Sequence, residues 1–267
     1  ENIGLTWTRP QSPTYEFSVL VSNRIVDQCV VGNKSAGGGI SYLAPLYIYR
    51  KIPSKKKAAF TQLMMFEPEE EYAAILSNIS GEVRSMLTKY YKKPFLNPTD
   101  IDRDIKGFGS KNIFYYIYAI LYSNTYRTKY ADFLKIDFPR IPFTKDYKLF
   151  IKLGKLGEHL AELHLLKSKD FEKQKRKLQG DGANKVEKLS YENEKVWINA
   201  EQYFNNVKEE VWKYQIGGYQ VCDKWLKDRK GRVLSSDEIQ TYCKIVTALS
   251  KTIEIQKAID ELYIGVE

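Results

Sequence analysis

Residues 110–143, SKNIFYYIYAILYSNTYRTKYADFLKIDFPRIPF, constrain the fold more than any other stretch. Ile113, Ile117, Ile120 and Leu121 recur at three- and four-residue spacing, which puts them on one face of a helix. Ser110 can cap its start, and Ser123-Asn124 interrupts the pattern and predicts a break. The tyrosines crowding this run could stack on bases; at helical spacing they are read as core and boundary residues. Periodicity then stops at DFPRIP, 137–142. Each proline fixes its own φ and pushes the residue before it into extended backbone, so the segment predicts a rigid crossover that places Arg140 and orients the next helix. The residues alone admit two roles for Arg140, a phosphate contact or a pair with an acidic neighbour.

The stretches before this helix are strand-like. IGLTWT, EFSVLVS and SYLAPLYIY are short, rich in β-branched and aromatic residues and bounded by Pro, Gly, Asn and Ser, and they are expected to share a sheet. NKSAGGGIS, 33–41, has three glycines but neither a following Lys-Ser/Thr nor GxGxxG spacing, so it predicts a plain loop. EPEEEYAAILSNISGEVRSMLTKYY predicts a helix opened by its acidic residues. After the crossover, TKDYKLFIKLGKLGEHLAELHLL, 144–166, is amphipathic. His159 and His164 lie five apart, off the i, i+4 spacing that puts two metal ligands on one helix face, and predict surface or packing roles. From 167 the texture is polar; VEKLSYENEKVWIN and EEVWKYQIGGYQV then predict strands, followed by a short basic helix, a Lys-Gly turn and a terminal helix capped by Ser235 or Ser236. Strands and helices fall in blocks, which gives an α+β class. The expected division is 1–166, a β-rich N-terminal part with the central helices, and 167–267, a second small β region with the C-terminal helix.

With 43% hydrophobic residues in 267, the chain can build a real core. Lys and Arg number 42 against 33 Asp and Glu, a formal charge of +9 that favours a polyanionic partner, nucleic acid or an anionic surface. No apolar run approaches the roughly 18 residues of a membrane span, and ENIGLTWTRP lacks the layout of a signal peptide, so a soluble cytoplasmic protein is expected. The chain begins without methionine inside a strand-like stretch and reads as a piece of something longer. Cys29, Cys222 and Cys243 are odd in number and far apart, which suggests reduced thiols, not a disulfide or zinc framework. There is no Walker loop, HExxH, GxSxG, aspartate-rich cluster or Asn/Asp-Pro-Pro-aromatic element. Asp132 and Asp137 read as helix-end or turn residues. No catalytic residue, cofactor site or metal site is expected in this chain.

NIFYYIYAILYSNTYRTKYADFLKIDFPRIPF resembles, almost throughout, a segment of bacterial type ISP restriction-modification polypeptides, in which FPRIP follows a tyrosine-rich helix. YLAPLYIY, LGEHLAELHLL at 156–166 and IGGYQVCDKWLKDRKGRVLSSDEIQTYCKIVTAL at 216–249 resemble the same family in the same order. The resemblance implies the C-terminal target recognition domain of an adenine-specific DNA methyltransferase fused to a nuclease and often to a translocase. It implies double-stranded DNA and the parent's methyltransferase domain as partners. It leaves S-adenosylmethionine to the parent enzyme, with Mg and ATP as further candidates there.

For such a domain, phosphate contacts set register and base-edge contacts read sequence. The first candidates are Arg50, Lys51, Lys55, Lys56 and Lys57, five basic residues without an acidic one, with a solvated loop as the competing reading. The second group is Lys224, Lys227, Arg229, Lys230 and Arg232, after Gly217 and Gly218, which allow close backbone approach, and Tyr219, a candidate for sugar-phosphate or base contact. Arg140 completes the set. The rival function is a non-nucleic-acid protein-interaction module whose charge only aids solubility.

Overall fold

A computed structural model describes residues 2–9, 17–27, 40–51, 72–98, 106–174 and 176–266. Near the N-terminus, β1 (Gly4–Arg9) is the centre of an antiparallel sheet in the order β2-β1-β3, with β2 at Val19–Ser22 and β3 at Ile40–Pro45. SYLAPLYIY does not stay in one sheet. It breaks at the buried Leu46, whose amide donates to the Ile3 carbonyl (2.8 Å), and resumes as β4 (Tyr47–Lys51). The Asn2 side chain clamps the junction, donating to the Tyr47 carbonyl (2.8 Å) and accepting from its amide (3.1 Å). β4 pairs with β5 (Tyr72–Ser77) in a separate two-stranded ribbon.

β5 corrects the expectation of a helix running from the acidic residues. YAAILS finds a strand partner, and pairing to a distant segment overrides local helical spacing. Helix α1 (Gly81–Tyr91) starts where Ser80 caps it, its Oγ accepting from the Val83 amide at 3.2 Å. A short parallel pair, β6 (Phe95–Leu96) and β7 (Phe108–Gly109), leads into α2 (Ser110–Tyr122). Ser110 is not the cap. It is the first helical residue and donates its hydroxyl to Ser77 (2.7 Å), while the Asn112 side chain accepts from the Gly109 amide (2.9 Å).

The break expected at Ser123-Asn124 is present. Ser123 ends α2 and its hydroxyl caps α3 (Asn124–Lys129), and α4 (Ala131–Ile136) follows. Tyr116, Tyr118, Tyr122 and Tyr126 are fully buried, so they are core residues. Tyrosine is needed here because α4 and α5 (Tyr147–His164) are joined by backbone without a ladder of its own. Tyr126 donates to the Arg140 carbonyl (3.0 Å), Tyr116 to the Pro142 carbonyl (2.7 Å) and Tyr91 to the Thr144 carbonyl (3.0 Å). Tyr116 also accepts from the Thr144 amide at 3.1 Å. Phenylalanine would fill the same space and leave these polar groups unmet, at about 1–3 kcal/mol each where buried. α5 packs on α2 through Gly154 and Gly157; a Cβ at Gly157 would overlap the Tyr115 carbonyl.

Past a 3-10 turn at Lys169–Lys173, β8 (Leu178–Gln179), β9 (Ser190–Glu192), β10 (Lys195–Trp197) and β11 (Tyr203–Phe204) form a sheet in the order β8-β11-β10-β9. EEVW is not strand but the short helix α6 (Glu209–Trp212); adjacent Glu209 and Glu210 suit a helix start and lower β propensity. The hairpin β12 (Gln215–Ile216) and β13 (Tyr219–Gln220), then α7 (Val221–Lys227), precede α8 (Ser236–Tyr263). Two hydrophobic clusters result. One lies among β1–β2 and α1–α5, the other among β10–β11 and α6–α7. α8 belongs to both: Tyr242, Cys243, Val246 and Leu249 enter the second, and Ala248, Ile255, Ile259 and Tyr263 the first. Cys222 and Cys243 are buried free thiols; Cys29 lies outside the described residues, as does most of 33–41. Among the described residues, no helix is long and apolar enough to cross a membrane.

Candidate nucleic-acid interface

The stretch 215–238 is built from a tight hairpin feeding a helix. Gly217 and Gly218 form its two-residue loop with φ of 59° and 84°, both in the left-handed region that such a turn requires. The Gly217 amide donates to the buried Ser18 hydroxyl (2.8 Å), which ties the loop to the segment before β2. Tyr219 follows on β13 and carries the Lys224 ammonium 5.7 Å from its ring centroid. Gln220 donates to the Trp212 carbonyl at 2.5 Å, holding the hairpin against α6.

The five cations here are not equivalent. Lys224 pairs with Asp228, and Lys227 with Asp223 at 2.6 Å, each one helical turn apart. Arg229 is fixed from three sides: its guanidinium stacks 3.5 Å from the Trp225 ring centroid, donates to the Trp225 carbonyl (2.9 Å) and meets Glu238 (3.1 Å). Arg232 reaches the same carboxylate at 2.9 Å. The Ser235 amide, then Arg232 and Arg229, hold the Glu238 carboxyl below its ordinary value, and Glu238 completes the capping box that starts α8. Lys230 is exposed at the tip of the turn. Alone of the five, it has no carboxylate within ion-pair distance among the described residues. Gly231, at φ 80°, lets the chain reverse there.

The other candidates lie elsewhere. Arg50 is exposed on β4 opposite Ala74, and Lys51 ends the same strand at a register shift. Lys55, Lys56 and Lys57 lie outside the described residues. The ribbon carrying Arg50 is apolar on both faces: the cross-strand pairs Ile48–Leu76 and Tyr49–Ile75 are between 39% and 47% exposed. Arg140 leans over the Phe133 ring (4.7 Å) and sits 3.5 Å from Asp137, with its side chain 79% exposed. Of the two histidines, His159 meets Asp170 at 2.6 Å, and His164 bridges the Tyr118 hydroxyl (2.7 Å) and the Thr252 hydroxyl (2.8 Å). Among the described residues no group of three His, Cys, Asp or Glu is placed to hold a metal.

One set of cations was not singled out from the sequence. Lys145, Lys148, Lys152 and Lys155 are all exposed along α5 and the turn before it. The spacing of four and three from Lys148 to Lys155 places those three on one helix face, opposite the apolar face whose periodicity dominates the same stretch, and Lys145 precedes the cap.

Residues 1–258 match the Type ISP C-terminal specificity domain. Among solved structures, the chain is similar to the ATP-dependent type ISP restriction-modification enzyme LlaBIII bound to DNA, with a TM-score of 0.64 and 19% identity over 97% of this chain and 16% of that one. It is similar to a nuclease-deletion mutant of the type ISP enzyme LlaGI in complex with a DNA substrate mimic, at 0.58 and 18% over 97% of this chain and 21% of the other. DrdV in its DNA complex gives 0.66 and 18% over 96% of this chain and 24% of DrdV. At these identities the likeness shows the fold, and the chain spans a quarter or less of each of these proteins. No curated protein matches.

Proposed function

We propose that this chain, which belongs to the type ISP C-terminal specificity domain family, binds duplex DNA and supplies sequence specificity to a restriction-modification enzyme that modifies adenine. The observation that carries the reading is the family match across 1–258, nearly the whole chain. It is supported by the fold shared with two enzymes and one further protein, all solved with DNA or a DNA mimic. Arg50, Lys51, Lys55, Lys56, Lys57 and Arg140 are proposed phosphate contacts, with Lys224, Lys227, Lys230 and Arg232. Tyr219 is proposed to touch a sugar or base edge. Lys230 is the best placed of the second group, since it gives up no ion pair on meeting a phosphate. Arg229 is held mainly as a strut.

Chemistry on the DNA is assigned to the parent: S-adenosylmethionine and any Mg or ATP are bound there, not by this chain. Its methyltransferase part is the proposed partner of the β4–β5 ribbon. The apolar pairs Ile48–Leu76 and Tyr49–Ile75 suit protein packing, which leaves Arg50 and Lys51 at the end of β4 for phosphate, and the matched proteins are about four to six times as long as this chain. The experiment for the DNA reading is a titration of a fluorescent duplex with the chain at low salt. A saturable rise in anisotropy supports it, and a flat trace transfers the assignment to a protein-interaction module.

A further inference from the structure

We infer that the solvent face of α5 is a second track for the DNA phosphate backbone, separate from both basic groups singled out in the sequence; the inference rests on the duplex-binding reading above. Lys145, Lys148, Lys152 and Lys155 stand along this face, and none has a carboxylate within ion-pair distance among the described residues. Lys145 lies over the Tyr90 ring, with its ammonium 5.7 Å from the centroid. This is the reverse of the 224–232 group, where three carboxylates take four of the five cations.

The face is rigid. Phe150, Leu153, Leu160 and Leu163 on the opposite side are fully buried, and Gly154 and Gly157 seat α5 directly on the backbone of α2, so the helix cannot turn its lysines away. At 1.5 Å per residue, Lys148 to Lys155 spans about 10 Å of helix, roughly three base-pair steps of a duplex, and Lys145 precedes the cap at one end. Lys148 lies in the first turn, where a cation opposes the macrodipole, and like charges about one turn apart along the stripe repel, each effect worth a few tenths of a kcal/mol. An arrangement that costs helix stability when free is relieved by a polyanion. Asp146 accepts from the Lys148 and Leu149 amides as the helix cap, and Glu158 shares a cleft of about 330 Å³ with Lys155 and with Lys111, exposed at the start of α2, without an ion pair to either among the described residues. Lysine is a point charge on a flexible stem and reads no bases, so this track sets position and affinity, not sequence.

The test uses the whole chain with Lys148→Ala, Lys152→Ala and Lys155→Ala together, and the same three positions as Gln, which keeps more of the stem. All three sites are exposed, so circular dichroism is expected to match the parent chain and melting to match or slightly exceed it, since the repulsion between the lysines is removed. Duplex binding is titrated across salt concentration. The inference expects the slope of log K against log salt to fall in magnitude by about 2.7, from roughly 0.9 per phosphate, in both variants, with no change in sequence preference. A parent chain that binds with variants that keep its slope overturns the α5 track and leaves the DNA reading standing. A parent chain that does not bind duplex at all removes the DNA reading, and this inference with it.

Discussion

Arg229 and Lys230 are neighbours in sequence with opposite employment in the structure. Arg229 joins α7 to the cap of α8 through Trp225 and Glu238, whereas Lys230 makes no ion pair among the described residues. Arg229→Ala is therefore expected to cost about 1–2 kcal/mol, a loss of the stacked cation and a charge-assisted bond, and to lower Tm by roughly 2–4 °C per kcal/mol. Lys230→Ala should leave Tm unchanged and lower the salt slope of DNA binding by about 0.9. Differential scanning calorimetry beside the salt titration checks both; equal behaviour of the two variants contradicts the distinction. In sequence the two look alike, because what separates them is a carboxylate on another helix. His164, read from the sequence as a surface or packing residue, is a packing one, but its partners on other helices were not legible. Burial, then Arg127, lowers its pKa from 6.5 to about 3, so it is neutral between Tyr118 and Thr252. Below 6.5 the unfolded chain takes up a proton that the folded chain refuses. This contribution is complete above that value and is lost as pH falls toward about 3, at no more than about 1.4 kcal/mol per pH unit. Denaturant melts of His164→Gln should show a shallower acid limb than the parent over that window. Parallel limbs would contradict a neutral, proton-refusing His164.

At the scale of elements, the α2–α5 pair is where the glycines are informative. A methyl at Gly157 meets the Tyr115 carbonyl and the Ala119 amide, whereas one at Gly154 meets only the Asn112 carbonyl at an ordinary 3.5 Å. Gly157→Ala is expected to destabilise by about 2–3 kcal/mol, as overpacking forces the helices apart. Gly154→Ala should be neutral or stabilising by up to about 1 kcal/mol, since alanine is the better helix former. Urea denaturation of the two variants tests this, and equal losses would mean the helices do not approach as closely as described. The helices α2, α5 and α8 were legible because apolar periodicity is a local property; the break at Ser123 and the Ser235 cap follow from single residues, whereas Ser110, expected as the cap of α2, is its first helical residue. β5 and α6 were not. YAAILS is a strand because Tyr47–Lys51 lies beside it, and EEVW turns into helix between β11 and the β12–β13 hairpin. The DFPRIP crossover was legible as rigid, but the source of its hydrogen bonds was not, since the hydroxyls come from Tyr91, Tyr116 and Tyr126 on other elements.

Across the whole molecule, the last helix organises the rest. α8 runs about 42 Å at 1.5 Å per residue and contributes to both hydrophobic clusters. Near its end Asp260 accepts from Ser123, Asn124 and Thr125 and so helps cap α3. The proposed division at 166/167 assigns α8 to the second part, and its side chains enter both clusters. Tryptophan fluorescence, weighted toward Trp212 and Trp225 beside the second cluster, and far-ultraviolet circular dichroism, weighted toward the helices of the first, are expected to report one coincident thermal transition. Separated midpoints would show that α8 does not couple them. A formal charge of +9 was legible from composition; which of its cations are unneutralised was not, because ion pairing depends on the fold. The central claim is that these cations meet duplex DNA, and the most direct measurement is the affinity of the intact chain for a duplex across a series of salt concentrations. With about six phosphates neutralised, log K is predicted to fall against log salt with a slope near −5. No detectable duplex binding at low salt, or an affinity indifferent to salt, would contradict it.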